Sequence, residues 1–486
     1  MISQFGGGLS VDGVITGLVI LTTVIAAIYL LVINTSYITL TAIAIRQLRR
    51  QMRLNTYNPV GELGGNQFLP GIAVTVPAYN EQEVIVESIN SLRSLAYPNY
   101  EIIIVNDGST DETADRLLAA FDFTEIEAEY PIALHCECVE SIYRASDDNL
   151  VLINKENGGK ADALNAGLQF TNMPLFCTVD ADSMIERGAL ADVANPFLTH
   201  PDETVISGGA IRISNGCTFR NGALQSVSLP RSSLIRFQAV EYLRAFLLGR
   251  IGLSNLNSLL IVSGAFSLFR TDVLREIGGY DTESITEDME IVVRLHRYLR
   301  EQERDYRAVF LPRPVAWTEA PESLTVLSRQ RRRWFRGMLQ TLVRHRDAIG
   351  RRQYGVIGLF ALPFYLFIET IGTLVEGLGY VIVPFFFLAG VIGFEFFAAF
   401  LLIALGLGSL LTVFAVFGEV VTYRRYEKPR EVLVLLCYAI IENATYRPWR
   451  TFVRCWATGE YIAGDRSWGK MTRTGAANNT DSDERT

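Results

Sequence analysis

Two aspartates one residue apart, Asp180 and Asp182, follow the apolar run Leu175-Phe176-Cys177-Thr178-Val179. On an extended chain end they share one face, and two carboxylates there can hold a hard divalent cation through oxygen. In an open α/β sheet, ligands bind just past the carboxyl ends of the strands, so Asp-x-Asp in that place suggests a metal presented to a phosphate. Asp also caps ordinary turns, and the pair decides nothing alone. Val76-Pro77-Ala78-Tyr79-Asn80-Glu81 ends an earlier apolar run, and the ring of Tyr79 can stack on a planar base. Val105-Asn106-Asp107-Gly108-Ser109-Thr110-Asp111 ends another. Asp107 can accept hydrogen bonds from a ribose or a base imide, and Gly108 lets backbone approach a ligand. Asn157-Gly158-Gly159-Lys160 opens a helix, where backbone N–H groups and Lys160 can meet a diphosphate. The plain alternatives are a strand-to-helix turn at residue 77 and an N-cap at Ser109 or Thr110.

The elements that position these residues alternate. Ile72–Val76 and Tyr100–Val105 are short apolar strands, and Glu83–Leu95 and Asp111–Phe121 have helical spacing. Strand and helix alternate to about residue 200, the pattern of a parallel sheet with helices on its faces. Further strands are expected near Thr204–Ile213 and Val262–Phe269, and helices near Ser233–Leu248 and Glu287–Arg300.

The 486 residues carry a formal charge of −8, and no basic face speaks for nucleic acid. Gly13 to Ile45 contains no charged residue, and Gln353 to Tyr423 contains no Lys or Arg. A membrane span needs ~20 apolar residues, so the first run holds one span and the second about three. Glu376, Glu395 and Glu419 are expected at helix ends, with Glu369 inside a helix and facing the bundle. Val432–Tyr446 is expected to be a further short span carrying Glu442. Arg46, Arg49, Arg50 and Arg53 follow the first run and keep that end cytoplasmic, leaving the N-terminus outside. Residues 322–352 are basic and interleaved with Leu, Trp and Phe, which fits amphipathic helix at a membrane surface. The six cysteines and four histidines show neither a disulfide framework nor zinc spacing. Residues 474–486 are polar and expected to be disordered.

The three glycine- and acid-bearing turns and Asp180-Ala181-Asp182 arrive in the order and spacing of the family 2 glycosyltransferases. Val262-Ser263-Gly264-Ala265-Phe266 resembles the acceptor-side segment of that family, and Thr286-Glu287-Asp288 its catalytic Thr-Glu-Asp. Gln330-Arg331-Arg332-Arg333-Trp334 resembles the Gln-x-x-Arg-Trp signature of the processive, membrane-bound members that make cellulose, chitin, hyaluronan and poly-N-acetylglucosamine. Trp468-Gly469-Lys470-Met471-Thr472-Arg473 resembles the tail of some members. The likeness covers about residues 70 to 340.

The resemblance implies a GT-A-like mixed α/β sheet with a Rossmann-like nucleotide-binding half, joined to an α-helical transmembrane bundle. The expected layout is an anchor at 1–53, a cytosolic catalytic domain at 54–320, interfacial helices at 321–352, a membrane bundle at 353–460 and a cytosolic tail at 461–486. Because the family tail passes near the active site, four crossings after the catalytic domain are expected. The resemblance also implies roles. Tyr79, Glu81 and Asp107 would hold uridine, with Lys160 on the donor side. Asp180 and Asp182 would bind the nucleotide and Mg2+ or Mn2+, Asp182 more directly. Asp288 would be the general base and Arg333 would grip the diphosphate. Gly264, Glu287, Gln330 and Trp334 would serve the acceptor. Asn106 stands where many relatives have Asp, and Glu290 where some synthases have a further Asp.

The expected activity is inverting transfer of a hexose or N-acetylhexosamine, from a UDP-sugar to a growing β-linked polysaccharide. Multi-pass insertion in the plasma membrane, with contact to lipid, would couple transfer to export. The second reading is a non-processive enzyme that adds one sugar to a lipid carrier or glycolipid acceptor, and the third is a non-catalytic subunit of an export complex. Protein partners are not indicated.

Overall fold

The computed structural model describes residues 11–54, 69–127, 133–146, 149–220, 223–423, 426 and 428–464. The tail resemblance at 468–473 lies outside them. Twelve strands are present among the described residues: β1 (Ile72–Ala78), β2 (Tyr100–Asp107), β3 (Phe123–Glu125), β4 (Val139–Ala145), β5 (Leu150–Lys155), β6 (Leu175–Val179), β7 (Met184–Ile185), β8 (Thr204–Ile213), β9 (Thr218–Arg220), β10 (Ala223–Ser226), β11 (Phe266–Arg270) and β12 (Arg307–Thr318). Ten of them form one sheet in the order β3-β4-β5-β2-β1-β6-β11-β8-β12-β7. β5, β2, β1 and β6 run parallel. β11 enters antiparallel between β6 and β8, which makes the sheet mixed. All ten residues of β8 are buried, as expected of a strand covered on both faces.

Helix α1 (Val11–Leu54) precedes the sheet, and α2 (Ile85–Arg93), α3 (Thr113–Ala120), α4 (Lys160–Phe170) and α5 (Ala189–Thr199) join its strands. Helix α6 (Ser233–Tyr242) continues into a π-helical stretch, Leu243–Arg250. Helices α7 (Glu287–Glu301) and α8 (Leu324–Arg344) flank β12. Two long apolar helices follow, α9 (Ile357–Leu388) and α10 (Phe394–Gly418). The chain ends in α11 (Pro429–Ile441) and α12 (Tyr446–Ile462).

This changes the expected membrane layout. Among the described residues three helices are long and apolar enough to cross a membrane, Leu21–Gln47 within α1, α9 and α10, so the second apolar run holds two such helices and not three. Glu376 is not a helix end but lies inside α9, where it is buried and paired with Arg447, Nε to Oε1 2.8 Å. A salt bridge there lets a carboxylate sit within an apolar helix. Glu369 does face a neighbour, accepting from Tyr37 of α1 and from Arg454 Nη1 at 3.4 Å. The short span expected at 432–446 is broken: α11 has 13 residues, which at 1.5 Å per residue reaches ~20 Å against the ~30 Å of a hydrocarbon core. Glu442 is buried at the break between α11 and α12.

The core of the sheet holds one charged cluster. Lys155, on the last position of β5, is buried with Nζ 2.7 Å from Asp107 Oδ1 and 2.6 Å from Asp162 Oδ1. A methyl on Gly158 would overlap the Asp162 carboxyl, and Gly108 has φ +66° with Asn157 packed behind it. Both turns are therefore restricted to glycine. Replacing Lys155 by Met should leave two buried carboxylates with no counter-ion, a loss of ~3–5 kcal/mol. Thermal unfolding of the purified protein should show the drop; an unchanged midpoint would mean the acids are not buried as a set.

Candidate active site

The carboxyl ends of the parallel strands carry the site. Asp180 follows β6, Lys160 opens α4, and Glu287 and Asp288 open α7. Lys160 Nζ lies 2.6 Å from Asp180 Oδ1 and 2.9 Å from Glu287 Oε1, and donates to Gly264 O at 3.0 Å. A Cβ on Gly264 would stand 3.0 Å from Asp288 Oδ2, so a larger residue there would crowd that carboxylate. Four segments far apart in sequence thus meet around one ammonium. Burial pulls the pKa of Lys160 down, but Asp180 and Glu287 outweigh it and hold the group above its ordinary value. Burial, and then the neighbouring Glu287 carboxylate, push Asp288 up to about 6, against the pull of Lys160 and Arg250.

Asp107 does a different task from the one expected. It is buried, and Oδ1 accepts from Lys155 Nζ and Gly158 N, at 2.7 and 3.0 Å. Oδ2 accepts from Gly159 N at 2.7 Å and Asn157 Nδ2 at 3.2 Å. A carboxylate has about four acceptor sites, and all are filled, so Asp107 holds the glycine turn and offers no free lone pair to a uridine. For the same reason the Gly158 and Gly159 amides are turned to Asp107 and away from a diphosphate. Lys160 is likewise committed to carboxylates.

Tyr79 follows β1 and is half exposed. Its neighbour Asn80 has φ +56°, and Asn80 Oδ1 accepts from Thr110 N at 2.8 Å, while Glu81 N donates to Thr113 Oγ1 at 2.9 Å. The turns after β1 and β2 therefore form one lip. Asp182 is half-buried, one residue on from Ala181. Asn106 is buried and donates to Asn154 Oδ1 at 3.0 Å. Glu290 points away from Asp288, buried and paired with Arg294 at 2.9 Å.

Helix α8 carries Gln330, Arg333 and Trp334 and docks on the loop that precedes Asp288. Its Gly337 abuts Thr286, and any side chain there would overlap the threonine. Gln340 Oε1 accepts from Ile285 N at 2.8 Å, and Gln340 Nε2 donates to Glu283 O at 3.1 Å. Residues 330, 333, 334, 337 and 340 recur at helical spacing, so the face bolted to the 283–286 loop is the face that carries Arg333 and Trp334. Two residues of this neighbourhood were not anticipated. Tyr280 lines the cleft with Lys160, Gly264 and Asp288, its hydroxyl buried without a hydrogen-bond partner among the described residues. Glu241 pairs with Arg331 at 3.0 Å. A tyrosine and a glutamate lying between motifs carry no spacing signal of their own.

The raised pKa of Asp288 has a stability consequence. Its folded value lies above the unfolded one, so the stability it contributes is present below pH ~4 and is lost as pH rises through about 6. Asp288→Asn should therefore melt no lower than the parent at pH 7.5, and should gain relative to it between pH 4.5 and 7.5. A variant that loses ground over that interval would show that the carboxylate is stabilised as an anion.

Residues 70–337 match the family described as "Glycosyltransferase like family 2", and residues 293–483 match one described as "Chitin synthase". The chain is 30% identical over 282 residues to the poly-beta-1,6-N-acetyl-D-glucosamine synthase of Staphylococcus epidermidis, and the match covers 57% of each chain. It is also 30% identical over 281 residues to the enzyme of that name from Staphylococcus aureus, covering 57% of this chain and 56% of that one. The match thus spans little more than half the length of these relatives. Among solved structures, a mannosyltransferase from Pyrobaculum calidifontis, in complex with GDP-Man and Mn2+, superposes with a TM-score of 0.48 at 18% identity over 86% of this chain and 99% of that one. The family match alone takes in more than half of the chain, which belongs to glycosyltransferase family 2.

Proposed function

We propose that this chain is a membrane-embedded inverting glycosyltransferase that moves a sugar from a UDP-sugar to the growing end of a β-linked polysaccharide. The observation that carries the reading is the knot of Asp180, Glu287 and Asp288 around Lys160, with α8 docked beside it through Gly337. The names of the staphylococcal relatives support N-acetylglucosamine as the sugar.

Asp288 is the base. As the acceptor hydroxyl oxygen bonds to the anomeric carbon, its proton passes to the Asp288 carboxylate. The bond from that carbon to the diphosphate oxygen breaks, and its electron pair leaves on the nucleotide. One displacement inverts the carbon, so an α-linked donor gives a β-linked product. Arg333 grips the departing diphosphate, since a guanidinium fork suits phosphate oxygens. Trp334 carries the acceptor sugar, with Gly264 and Gln330 on the same side, and Tyr79 and Glu81 flank the base. Lys160 keeps Glu287 and Asp180 from repelling each other.

Asp180 and Asp182 suit Mg2+ or Mn2+. Both are half-buried oxygen donors, and no cluster of three or more His, Cys, Asp or Glu side chains able to enclose a metal occurs among the described residues. An ion here would complete its shell with water and diphosphate oxygens, as Mg2+ commonly does. When bound it would supply positive charge to the leaving group.

The topology we propose has three crossings, with the N-terminus outside and the catalytic domain in the cytoplasm. Two crossings after that domain return the chain to the cytoplasm, where Lys428 and Arg430 satisfy the positive-inside rule. Three later crossings would have put them outside.

Asp288→Asn should abolish transfer from labelled UDP-sugar while UDP binding survives; near-normal turnover would remove Asp288 as base. In the parent, kcat/KM should fall as pH drops through about 6, where the base becomes protonated. A limb near pH 4 would contradict the burial of that group. Gly337→Ala should cost ~100-fold in turnover by displacing α8 from Thr286, read with UDP binding as the control. Sizing the labelled product separates the readings: a polymer supports the synthase, a single-sugar lipid supports transfer to a carrier, and failure to release UDP with any donor supports a non-catalytic subunit.

A further inference from the structure

Glu241 sits at the end of α6, outside every motif above, and is nearly sealed from solvent. Its side chain and those of Arg331 and Arg450 are 8%, 8% and 9% exposed. Arg450 Nη1 donates to Oε1 at 2.6 Å and the Tyr446 hydroxyl donates to Oε2 at 2.9 Å, both from α12. Arg331 Nη2 lies 3.0 Å from Oε2 on the other side. Arg331 in turn lies over the indole of Trp334, with Cζ 4.5 Å from the ring centroid. Trp334 is 37% exposed, so one part of the ring is covered by the guanidinium and another is open.

The contact between Glu241 and Arg331 is held by charge. Arg331 Nε and Nη2 are buried without a hydrogen-bond acceptor among the described residues, so direction-dependent bonding does not fix that end. Three cations would otherwise crowd here, since Arg244 also approaches through Glu442, at 3.5 Å. Burial raises the pKa of Glu241, but Arg331 and Arg450, with Arg244, together outweigh it and hold the carboxyl down at about 2. The carboxylate is therefore ionised across the physiological range.

We propose that Glu241 is a positioning residue for acceptor transfer. It pins Arg331 against Trp334 and so fixes the plane of the indole, and α12 fixes Glu241 through Arg450 and Tyr446. The C-terminal helix thereby reaches the acceptor platform without touching substrate. This rests on the reading that Trp334 carries the acceptor sugar.

The decisive experiment is a double-mutant cycle in the full-length membrane protein. Glu241→Gln keeps the shape and removes the charge. It should lower kcat and shorten the product about tenfold while UDP affinity stays within about twofold, and Glu241→Asp should restore part of the loss. In a Trp334→Ala background the same Glu241→Gln change should do nothing further, because the ring it positions is gone. Equal losses in both backgrounds would reveal a general structural role and overturn the proposal. Tyr446→Phe is the milder probe should Glu241→Gln fail to fold. It removes one donor to Glu241 and keeps the ring stacked on Phe237, centroids 5.5 Å apart. Its smaller loss, about threefold, must also vanish without Trp334, and a loss that persists counts against the proposal. If Trp334→Ala by itself leaves kcat and product length untouched, the acceptor assignment of Trp334 fails and this inference fails with it. If Trp334→Ala alters them and neither Glu241→Gln nor Tyr446→Phe does, only this inference fails.

Discussion

Three carboxylates at the edge of the sheet cannot share so small a space without a resident cation, and Lys160 is that cation. Asp180 comes from the end of β6, and Glu287 and Asp288 from the start of α7 more than a hundred residues later. Their mutual repulsion in a low-dielectric cleft would drive these elements apart. The ammonium at 2.6 and 2.9 Å from two of them turns that repulsion into the contact that joins the parallel half of the sheet to α7. Asp288, the acid not bonded to Lys160 in this set, is the one whose proton affinity is raised. A carboxylate kept beside a neutralised pair, and itself only partly compensated, has the protonation behaviour a base needs near neutral pH.

The same device recurs one layer deeper. Lys155 holds Asp107 and Asp162 in the core, and the turn that follows it wraps its amides around Asp107. Because α4 begins at the end of that turn, the position of Lys160 is set by the position of Lys155. The glycines are part of this: Gly158 admits the Asp162 carboxyl, and Gly159, with φ +89°, turns the chain into the helix. The outer cation, at the cleft, is thus registered by the inner one in the core.

The sequence made much of the sheet legible because its strands are short apolar runs bounded by glycine and acid, and because four motifs fall at strand ends. Ile72–Ala78, Tyr100–Asp107 and Thr204–Ile213 form within two residues of the expected spans. Asp180, Glu287, Asp288, Gly264 and Lys160 do come together. What spacing could not convey was whether a polar group faces a ligand or another part of the chain. Asp107 and the Gly158 amides have the composition of a ligand site, yet they satisfy each other, which depends on Lys155 lying on the neighbouring strand. The long apolar region misled for a related reason. Glu376 resembled a helix end because its partner, Arg447, is 71 residues further on and invisible to any local window. Val432–Tyr446 resembled a span because composition does not record the break at Glu442.

That break matters for how the parts hold together. Arg447, Arg450 and Arg454 recur at helical spacing along α12 and meet Glu376 and Glu369 on α9 and Glu241 on α6. Each buried carboxylate would cost several kcal/mol without its partner, so neither the apolar helices nor the segment beneath the Gln-x-x-Arg-Trp helix reaches its lowest energy alone. Leu40 and Ala44 of α1 belong to the same apolar core as β1 and β6, which ties the other end of the chain in as well. The catalytic sheet and the apolar helices therefore share buried charge and buried surface. A displacement of α9 is therefore felt at α12, and through Glu241 at α8, as well as at α1 through Tyr37.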